Sequence, residues 1–370
     1  NLTIQDPQSA KDAGLVDVLG YDDEVLTALR TKMGYEEDDK IKFVTLEDYN
    51  TTIVDKNKAK EKIAVVYAEG SIVFGEGKPG QIGGEGYMKT IRKLRKDKKV
   101  KAIVLRVNSG GGSAFASDQI WRELKLAKAE KPLVVSMGNY AASGGYYISA
   151  MADEIYAEKN TITGSIGVVG MMFNLEHFFE NKLGVTYDRA KTSPYADFGN
   201  MNREWTKKEV EVAEHQVKRI YADFKAKVAE GRGMTKEEVD AIGQGRVWMG
   251  KDALNIGLVD EIGGMDRAIE IAKEHAKLDD YEMVSYPKLK DPFEELMEEL
   301  SLNIEARILN NALGNEQKYY KKLQNVTQQS GVMARMAFDI AIHYNKLIVV
   351  KGVELFNSFF YFYFCLPNRL

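Results

Sequence analysis

Two glycine-rich stretches hold the residues best suited to chemistry. The first, Asn108-Ser109-Gly110-Gly111-Gly112-Ser113, follows the apolar run VKAIVLRV (100–107) and precedes an amphipathic helix pattern. Three glycines between a strand and a helix put backbone N–H groups in an open turn, where they can hold an anion or a developing oxyanion. The second, GNYAASGGYY (138–147), also follows a strand pattern and opens a helix. Small residues at 141–145 allow a sharp turn and close packing. Ser143 is expected at the first helical turn, exposed at the C-terminal end of the strands, where open α/β sheets place their ligand sites. A hydroxyl beside a turn of N–H donors is how acyl-transfer sites are built. An N-cap serine between turn glycines is the plainer account of the same letters. The frame around Ser143 is not G-x-S-x-G, which disfavours an α/β-hydrolase.

A nucleophilic serine needs a base, usually histidine. His177 lies in an apolar run (NLEHFF), and His215, His275 and His343 lie in charged or tail segments. A lysine can serve where burial keeps it neutral, but composition singles out none of the many lysines. Ser165, in TGSIGV (163–168), reads by itself as a turn serine. Tyr146 and Tyr147 read as helix packing. The run GEGKPG (75–80) matches a dinucleotide fingerprint after a strand, but Pro79 interrupts it. The second strand also ends Arg106-Val107-Asn108, without the acid that would hold a ribose. A flexible loop over a cleft fits that run better.

The elements that must position these residues alternate. Short β-branched runs at 62–68, 100–107, 133–137, 154–157 and 185–189 read as strands. Residues 84–98, 114–130, 143–152 and 175–182 read as helices between them. Continuous apolar strands alternating with helices predict an α/β fold with mostly parallel pairing. Thr206-x-x-Glu209 and Thr235-x-x-Glu238 are capping boxes opening helices over 207–230 and 236–242. Residues 291–330 read as a polar helical arm. Residues 347–366 are largely apolar, but Lys351, Glu354 and Asn357 interrupt them, and the aromatic density suits a strand or a sticky end better than a membrane span.

An internal echo sets the organisation. SAKDAGLVDVLGYDDEVLTALRTKM (9–33) and GKDALNIGLVDEIGGMDRAIEIAKEH (250–275) share KDA, GLVD, a turn, an acid and a helix, with the two GLVD runs 243 residues apart. That spacing is domain-sized, well beyond the ~20–50 residues of a solenoid repeat. It predicts a duplicated protein, with the tail of one copy followed by a whole second copy. The first residue is Asn rather than Met, and no secretory signal opens the chain, in keeping with a piece of something longer.

Composition narrows the function classes. The 370 residues carry a net charge of −4, with 44% apolar and 29% charged residues, the balance of a folded globular protein. The slight acidity gives no electrostatic case for nucleic acid. One Cys and four His without ligand spacing argue against a disulfide framework or a zinc site.

The runs RVNSGGGSAFASDQIW (106–121) and VVSMGNYAASGGYYISAMADEIYAEKNTITGSIGV (134–168) resemble the signal peptide peptidase A (protease IV) family in its long, duplicated bacterial form. The resemblance implies a ClpP/crotonase-like α/β fold with a mostly parallel sheet, flanking helices and a helical C-terminal arm. Residues 1–35 would be the tail of a preceding homologous half, 36–61 a charged linker and 62–285 the peptidase domain. Residues 286–343 would be the arm and family C-terminus, where ARMAFDIAIH (334–343) matches, and 344–370 an unexplained apolar tail. The family works by a Ser-Lys dyad. Its nucleophile falls on Ser143, its oxyanion donors on Gly111 or Gly112 and on Gly144, and the serine that orients the lysine on Ser165. Gly110 stands where many members have proline, which loosens the turn without removing a donor.

One departure matters most. Short members carry the lysine in a segment similar to AKTSPYADFG (190–199), and at the matching position this chain has Ala196. Lys191 is five residues earlier and does not inherit the role. In the long form the first half supplies the lysine. The resemblance therefore implies a membrane-associated endopeptidase that degrades signal peptides and other unfolded peptides. It would sit at the bacterial inner membrane, its catalytic domain extracytoplasmic, as a homotetramer without metal or organic cofactor. The alternative is a non-catalytic peptide-binding scaffold with a decayed site. An acyl-CoA enzyme of the crotonase type is weaker, because TGSIGV and the duplication argue against it.

Overall fold

The computed structural model describes residues 4, 6–37, 39–45, 48–49, 59–287, 331–335, 339–343, 346–350 and 360–364. The chain divides into two compact units, Asn1–Asn57 and Lys58–Leu370. The first holds helices α1 (Pro7–Asp12) and α2 (Asp22–Met33). Asp6 caps α1 by accepting the Ser9 N–H, with Pro7 at the first helical position, and Gly34 ends α2 at φ 71°. Neither helix has a buried residue.

The second unit begins with β1 (Lys62–Glu69), β2 (Ser71–Val73), β3 (Gln81–Gly83) and α3 (Gly84–Lys96). Then come β4 (Val100–Ser109), β5 (Gly111–Ser113), α4 (Ala114–Lys128), β6 (Leu133–Ala142) and α5 (Gly144–Ser149). They are followed by β7 (Glu154–Ala157), β8 (Ile162–Gly164), β9 (Val169–Phe173), α6 (Glu176–Leu183), α7 (Lys207–Arg232) and α8 (Lys236–Ile242). Next are β10 (Val247–Met249), α9 (Gly250–Asn255), β11 (Glu261–Ile262), α10 (Met265–His275) and β12 (Glu282–Tyr286). Four strands remain: β13 (Gly331–Arg335), β14 (Asp339–His343), β15 (Lys346–Val350) and β16 (Phe360–Phe364).

An eight-stranded sheet runs β10-β8-β6-β4-β1-β12, with β7 and β11 continuing from β6. Every pairing in it is parallel except β10 with β8. The apolar strands read as continuous runs because both faces are buried. Ala64, Val66, Ile103, Leu105 and Val135 face a core shared with α3, α4, α5 and α7. Ile63, Val65, Ala102, Val104 and Val134 face a second core under α10. This is the α/β class with mostly parallel strands and flanking helices that the sequence implies. Thr206 with Glu209 and Thr235 with Glu238 both form their capping boxes.

A second sheet, ordered β16-β9-β13-β5-β2-β3, grows from the ends of these strands. In it β13 lies between β5 and β9, antiparallel to both: Ala334 faces Gly112 and Val332 faces Gly170. Strands β14 and β15 form a separate antiparallel pair.

Two expectations are corrected. Residues 185–189 form no strand, because Gly184 ends α6 in the left-handed region at φ 65° and the chain beyond it finds no strand edge. There Tyr187 packs edge-on against Phe179 and Arg189 pairs with Glu176. Of the helical arm expected over 286–343, residues 288–330 lie outside the described residues, while the described parts at 331–335 and 339–343 are strands. The alternation in DIAIH (339–343) has the two-residue period that suits pairing. The linker expected over 36–61 is described at 36–37, 39–45, 48–49 and 59–61.

The echo recurs in local structure. Helix α1 is followed by Gly14 at φ 69° and then α2, as α9 is followed by Gly257 at φ 76° and then α10. Burial differs between the two segments. Leu258 and Val259 are 0% and 2% exposed, whereas Leu15 and Val16 are 67% and 41% exposed.

Candidate active site

The long strand β6 sets the site. Its first half pairs with β7 and its second half with β8, so its end is wedged between β8 and the end of β4. Ser143 comes next and turns the chain into α5. Its backbone lies at φ 53°, ψ −115°. A positive φ in a non-glycine residue costs on the order of 1–3 kcal/mol and persists only where the surroundings impose it. They do so here on both sides. The Ser143 N–H donates to the Gly164 carbonyl at 2.8 Å, and its own carbonyl accepts from the Tyr147 N–H at 2.8 Å. Gly145 then allows a backbone approach that no larger residue could make, since a Cβ there would meet the Ser109 carbonyl oxygen at 2.4 Å.

The N-cap account of Ser143 fails, because its hydroxyl makes no capping bond. It instead reaches toward the Gly167 carbonyl at 3.4 Å. Nor is Ser143 exposed as expected: it is fully buried, tucked under the turn that follows β8. Ser165 lies in that turn, also at positive φ (47°) and 4% exposed. The turn is held from behind, with the Ser165 N–H on the Arg246 carbonyl at 2.7 Å and the Gly245 N–H on the Ile166 carbonyl at 2.9 Å. Among the described residues, the Ser165 hydroxyl makes no hydrogen bond.

Gly111 and Gly112 form the other wall. Both have positive φ, 93° and 156°, and a Cβ on Gly112 would overlap the Ile72 carbonyl oxygen at 2.0 Å, so the turn requires glycine. The Gly111 N–H donates to the Ser109 hydroxyl at 3.1 Å. Gly144 opens α5, where its N–H has no acceptor within the helix. The structure thus gathers Ser143, Gly144, the Gly111-Gly112 turn and the Ser165 turn around the end of β6. Sequence reasoning missed Ser109. A serine beside three glycines reads as one more turn residue, and nothing in the letters marks its hydroxyl as bonded on both sides.

The other candidates separate from this cluster. Tyr146 is buried with its hydroxyl donating to the Leu258 carbonyl at 2.9 Å, and Tyr147 packs on Phe224 at 4.6 Å between ring centroids. Both side chains are buried in the core, and that burial pushes both phenols up. Among the described residues, no lysine bonds to Ser143 or Ser165. Lys191 is engaged elsewhere, 3.4 Å from the Asp197 carboxylate and 3.4 Å from the Pro194 carbonyl. Asp197 is itself gripped by Arg203 at 2.8 Å, and Arg203 also pairs with the buried Glu209. The Arg203 guanidinium holds both carboxyls down to about 2. Ala196 lies in this loop, its N–H on the Ser193 carbonyl at 3.2 Å. His275 sits 3.1 Å from Glu154, across the sheet in the α10 layer.

Among the described residues, no helix is long and apolar enough to cross a membrane. Residues 125–279 match the model of peptidase family S49. The chain is 37% identical over 344 residues to the chloroplastic serine protease SPPA of Arabidopsis thaliana, covering 91% of this chain and 50% of that one. It is 38% identical over 300 residues to Protease 4 of Salmonella typhi, covering 81% and 48% respectively. A putative protease of Methanocaldococcus jannaschii is 36% identical over 234 residues, which cover 61% of this chain and 74% of that protein. The chain spans about half the length of the first two of these curated relatives. Among solved structures, a ClpP1 variant from Listeria monocytogenes overlays 55% of this chain and 94% of its own, with a TM-score of 0.37 and 16% identity.

Proposed function

The chain belongs to peptidase family S49, the signal peptide peptidase A family, and on that premise we propose that it carries the nucleophile-bearing half of a serine endopeptidase site. One observation carries the reading: Ser143 is held at φ 53° between a strand and a helix, with its hydroxyl released from capping. Strain of this kind collects at functional sites, and a strained strand-to-helix turn is how other folds present a nucleophilic serine.

The Ser143 hydroxyl attacks the peptide carbonyl while a neutral lysine takes its proton. The N–H of Gly144 and one from the Gly111-Gly112 turn hold the resulting oxyanion. When the tetrahedral species collapses, the peptide C–N bond breaks, the lysine protonates the leaving amine, and an acyl ester remains on Ser143. Water, deprotonated by the same lysine, then hydrolyses that ester. Ser165, whose hydroxyl is unclaimed among the described residues, orients the lysine.

The substrate is an extended peptide. The slot between β5 and β9 accepts a strand antiparallel to both, and the chain's own β13 supports this mode by pairing there. Cleaved signal peptides and other unfolded chains suit a slot that pairs with main chain. The base comes from outside these residues, from a preceding homologous half. The exposure of Leu15 and Val16 where their echoes Leu258 and Val259 are buried supports such a half. The whole protein is then a homotetramer at the bacterial inner membrane, with its catalytic domain on the extracytoplasmic side.

The test compares full-length wild type with Ser143→Ala on a peptide substrate. Loss of turnover by at least about a thousandfold is expected, and equal turnover would sink the assignment. A second reading, a peptide-binding scaffold with a decayed site, draws on Ala196 and on the prior engagement of Lys191. It predicts peptide binding without Ser143 labelling by a fluorophosphonate.

A further inference from the structure

We propose that Ser109 is a positioning residue that fixes the spacing between the two oxyanion donors; this rests on the reading of Ser143 as nucleophile. Ser109 is fully buried at the end of β4, in register with Ala141 of β6, two residues before Ser143. Its hydroxyl is bonded on both sides. It accepts the Gly111 N–H at 3.1 Å and donates to the Gly70 carbonyl at 2.6 Å. Gly70 is itself tied to the end of β4, its N–H on the Asn108 carbonyl at 3.1 Å. The same residue touches the opposite wall: its carbonyl oxygen lies where a Cβ on Gly145 would come within 2.4 Å. Ser109 therefore holds the Gly111-Gly112 turn with its side chain and abuts α5, just past Gly144, with its main chain.

The chemistry needs such a spacer. Gly110, Gly111 and Gly112 are consecutive, and glycine backbones are the freest of any residue. An oxyanion hole lowers a barrier only to the extent that its donors are already aimed before charge develops. Two fixed hydrogen bonds through one hydroxyl turn a soft turn into an aimed one. The chain Gly111 N–H to Ser109 O–H to Gly70 carbonyl polarises along its length, which strengthens each bond. The effect belongs to the transition state, because the donors meet a full negative charge only as it develops there.

The experiment uses the full-length protein with Ser109→Ala, which removes the hydroxyl, and Ser109→Cys, which keeps the bulk but replaces oxygen by a poor acceptor. Ser143→Ala runs beside them. The readouts are kcat and KM on a peptide substrate, the affinity of a peptide boronic acid, and amide exchange over 108–113. We expect exchange at Gly111 to quicken about tenfold or more and kcat to fall about 10- to 100-fold. KM should stay within about threefold, and boronate affinity should fall in step with kcat. A folded Ser109 variant with faster exchange but unchanged kcat overturns the proposal. So does a loss confined to KM, a rise in kcat, or the failure of both variants to fold, which would leave the hydroxyl a purely structural role. If Ser143→Ala turns over as fast as wild type, the endopeptidase reading fails instead, and the exchange measurement still decides whether Ser109 braces the turn.

Discussion

Gly145 concentrates what the site asks of single residues. It allows α5 to begin directly against the Ser109 carbonyl, which lets Ser143 complete its turn at positive φ. Gly145→Ala drives a methyl into a backbone oxygen that cannot move without shifting β4. The variant should lose about 1–3 kcal/mol of stability and most of its Ser143-dependent turnover. Denaturant titration and a peptide assay check the two effects. Gly184→Ala is the control, since nothing lies within 4 Å of its Cβ and only its φ of 65° resists the change. It should cost about 1–2 kcal/mol and leave turnover intact. At this scale the residue types were legible. A serine and five glycines flank two strand ends, and small residues at those places have few other uses. Their state was not legible. Exposure at the head of a strand was the natural expectation for Ser143. Its burial depends on the turn after β8, which is braced from residues 245 and 246 far along the chain.

Elements were legible where periodicity and burial agree and illegible where a neighbour decides. Strands β1, β4 and β6 are continuous apolar runs because both faces are covered, and their letters say so. Residues 185–189 carry similar letters but meet no strand edge, and pairing is what makes a strand. The loop that follows is held instead by a charge cluster. Arg203 spans Asp197 and Glu209, with one bond to Glu209 at 2.8 Å, and so fastens the loop to the first turn of α7. Both carboxyls have their pKa lowered to about 2, chiefly by hydrogen bonds from Arg203. A carboxyl whose pKa is lowered on folding stabilises the fold above its unfolded value, about 4. That contribution is lost as pH falls through the folded value. Arg203→Met should therefore lower the thermal midpoint at pH 7 by roughly 5–10 °C, because Glu209 stays buried without its partner. The gap to wild type should narrow steadily as pH drops from about 5 to 2. A gap that stays constant over that range would mean that the cluster's charges do not hold the loop.

The echo at a 243-residue spacing is the feature of the whole molecule that explains most about its parts. In residues 250–275, GLVD leads into β11, which pairs with β7; the Asp260 N–H donates to the Ile155 carbonyl, and Asp260 accepts the Ile155 N–H in return. In residues 9–33 the same letters keep their helix-glycine-helix form, but their apolar side chains are exposed. The exposure of Leu15 and Val16, whose echoes Leu258 and Val259 are buried, fits the preceding half proposed above. The base follows the same logic. Ser143, Gly144, the glycine turn and the Ser165 turn are assembled, yet Lys191 is committed to Asp197, and Ala196 stands where the proposed dyad would call for a lysine. A serine hydroxyl without a base is a poor nucleophile at neutral pH. Residues 1–370 produced alone should thus fold and show no Ser143-dependent cleavage. The full-length protein should cleave, and replacing one lysine of the preceding half should abolish that cleavage as completely as Ser143→Ala does. Robust Ser143-dependent cleavage by residues 1–370 alone would place the base within this chain. Lys191 would then have to leave Asp197, and Lys191→Met would identify it by abolishing the activity.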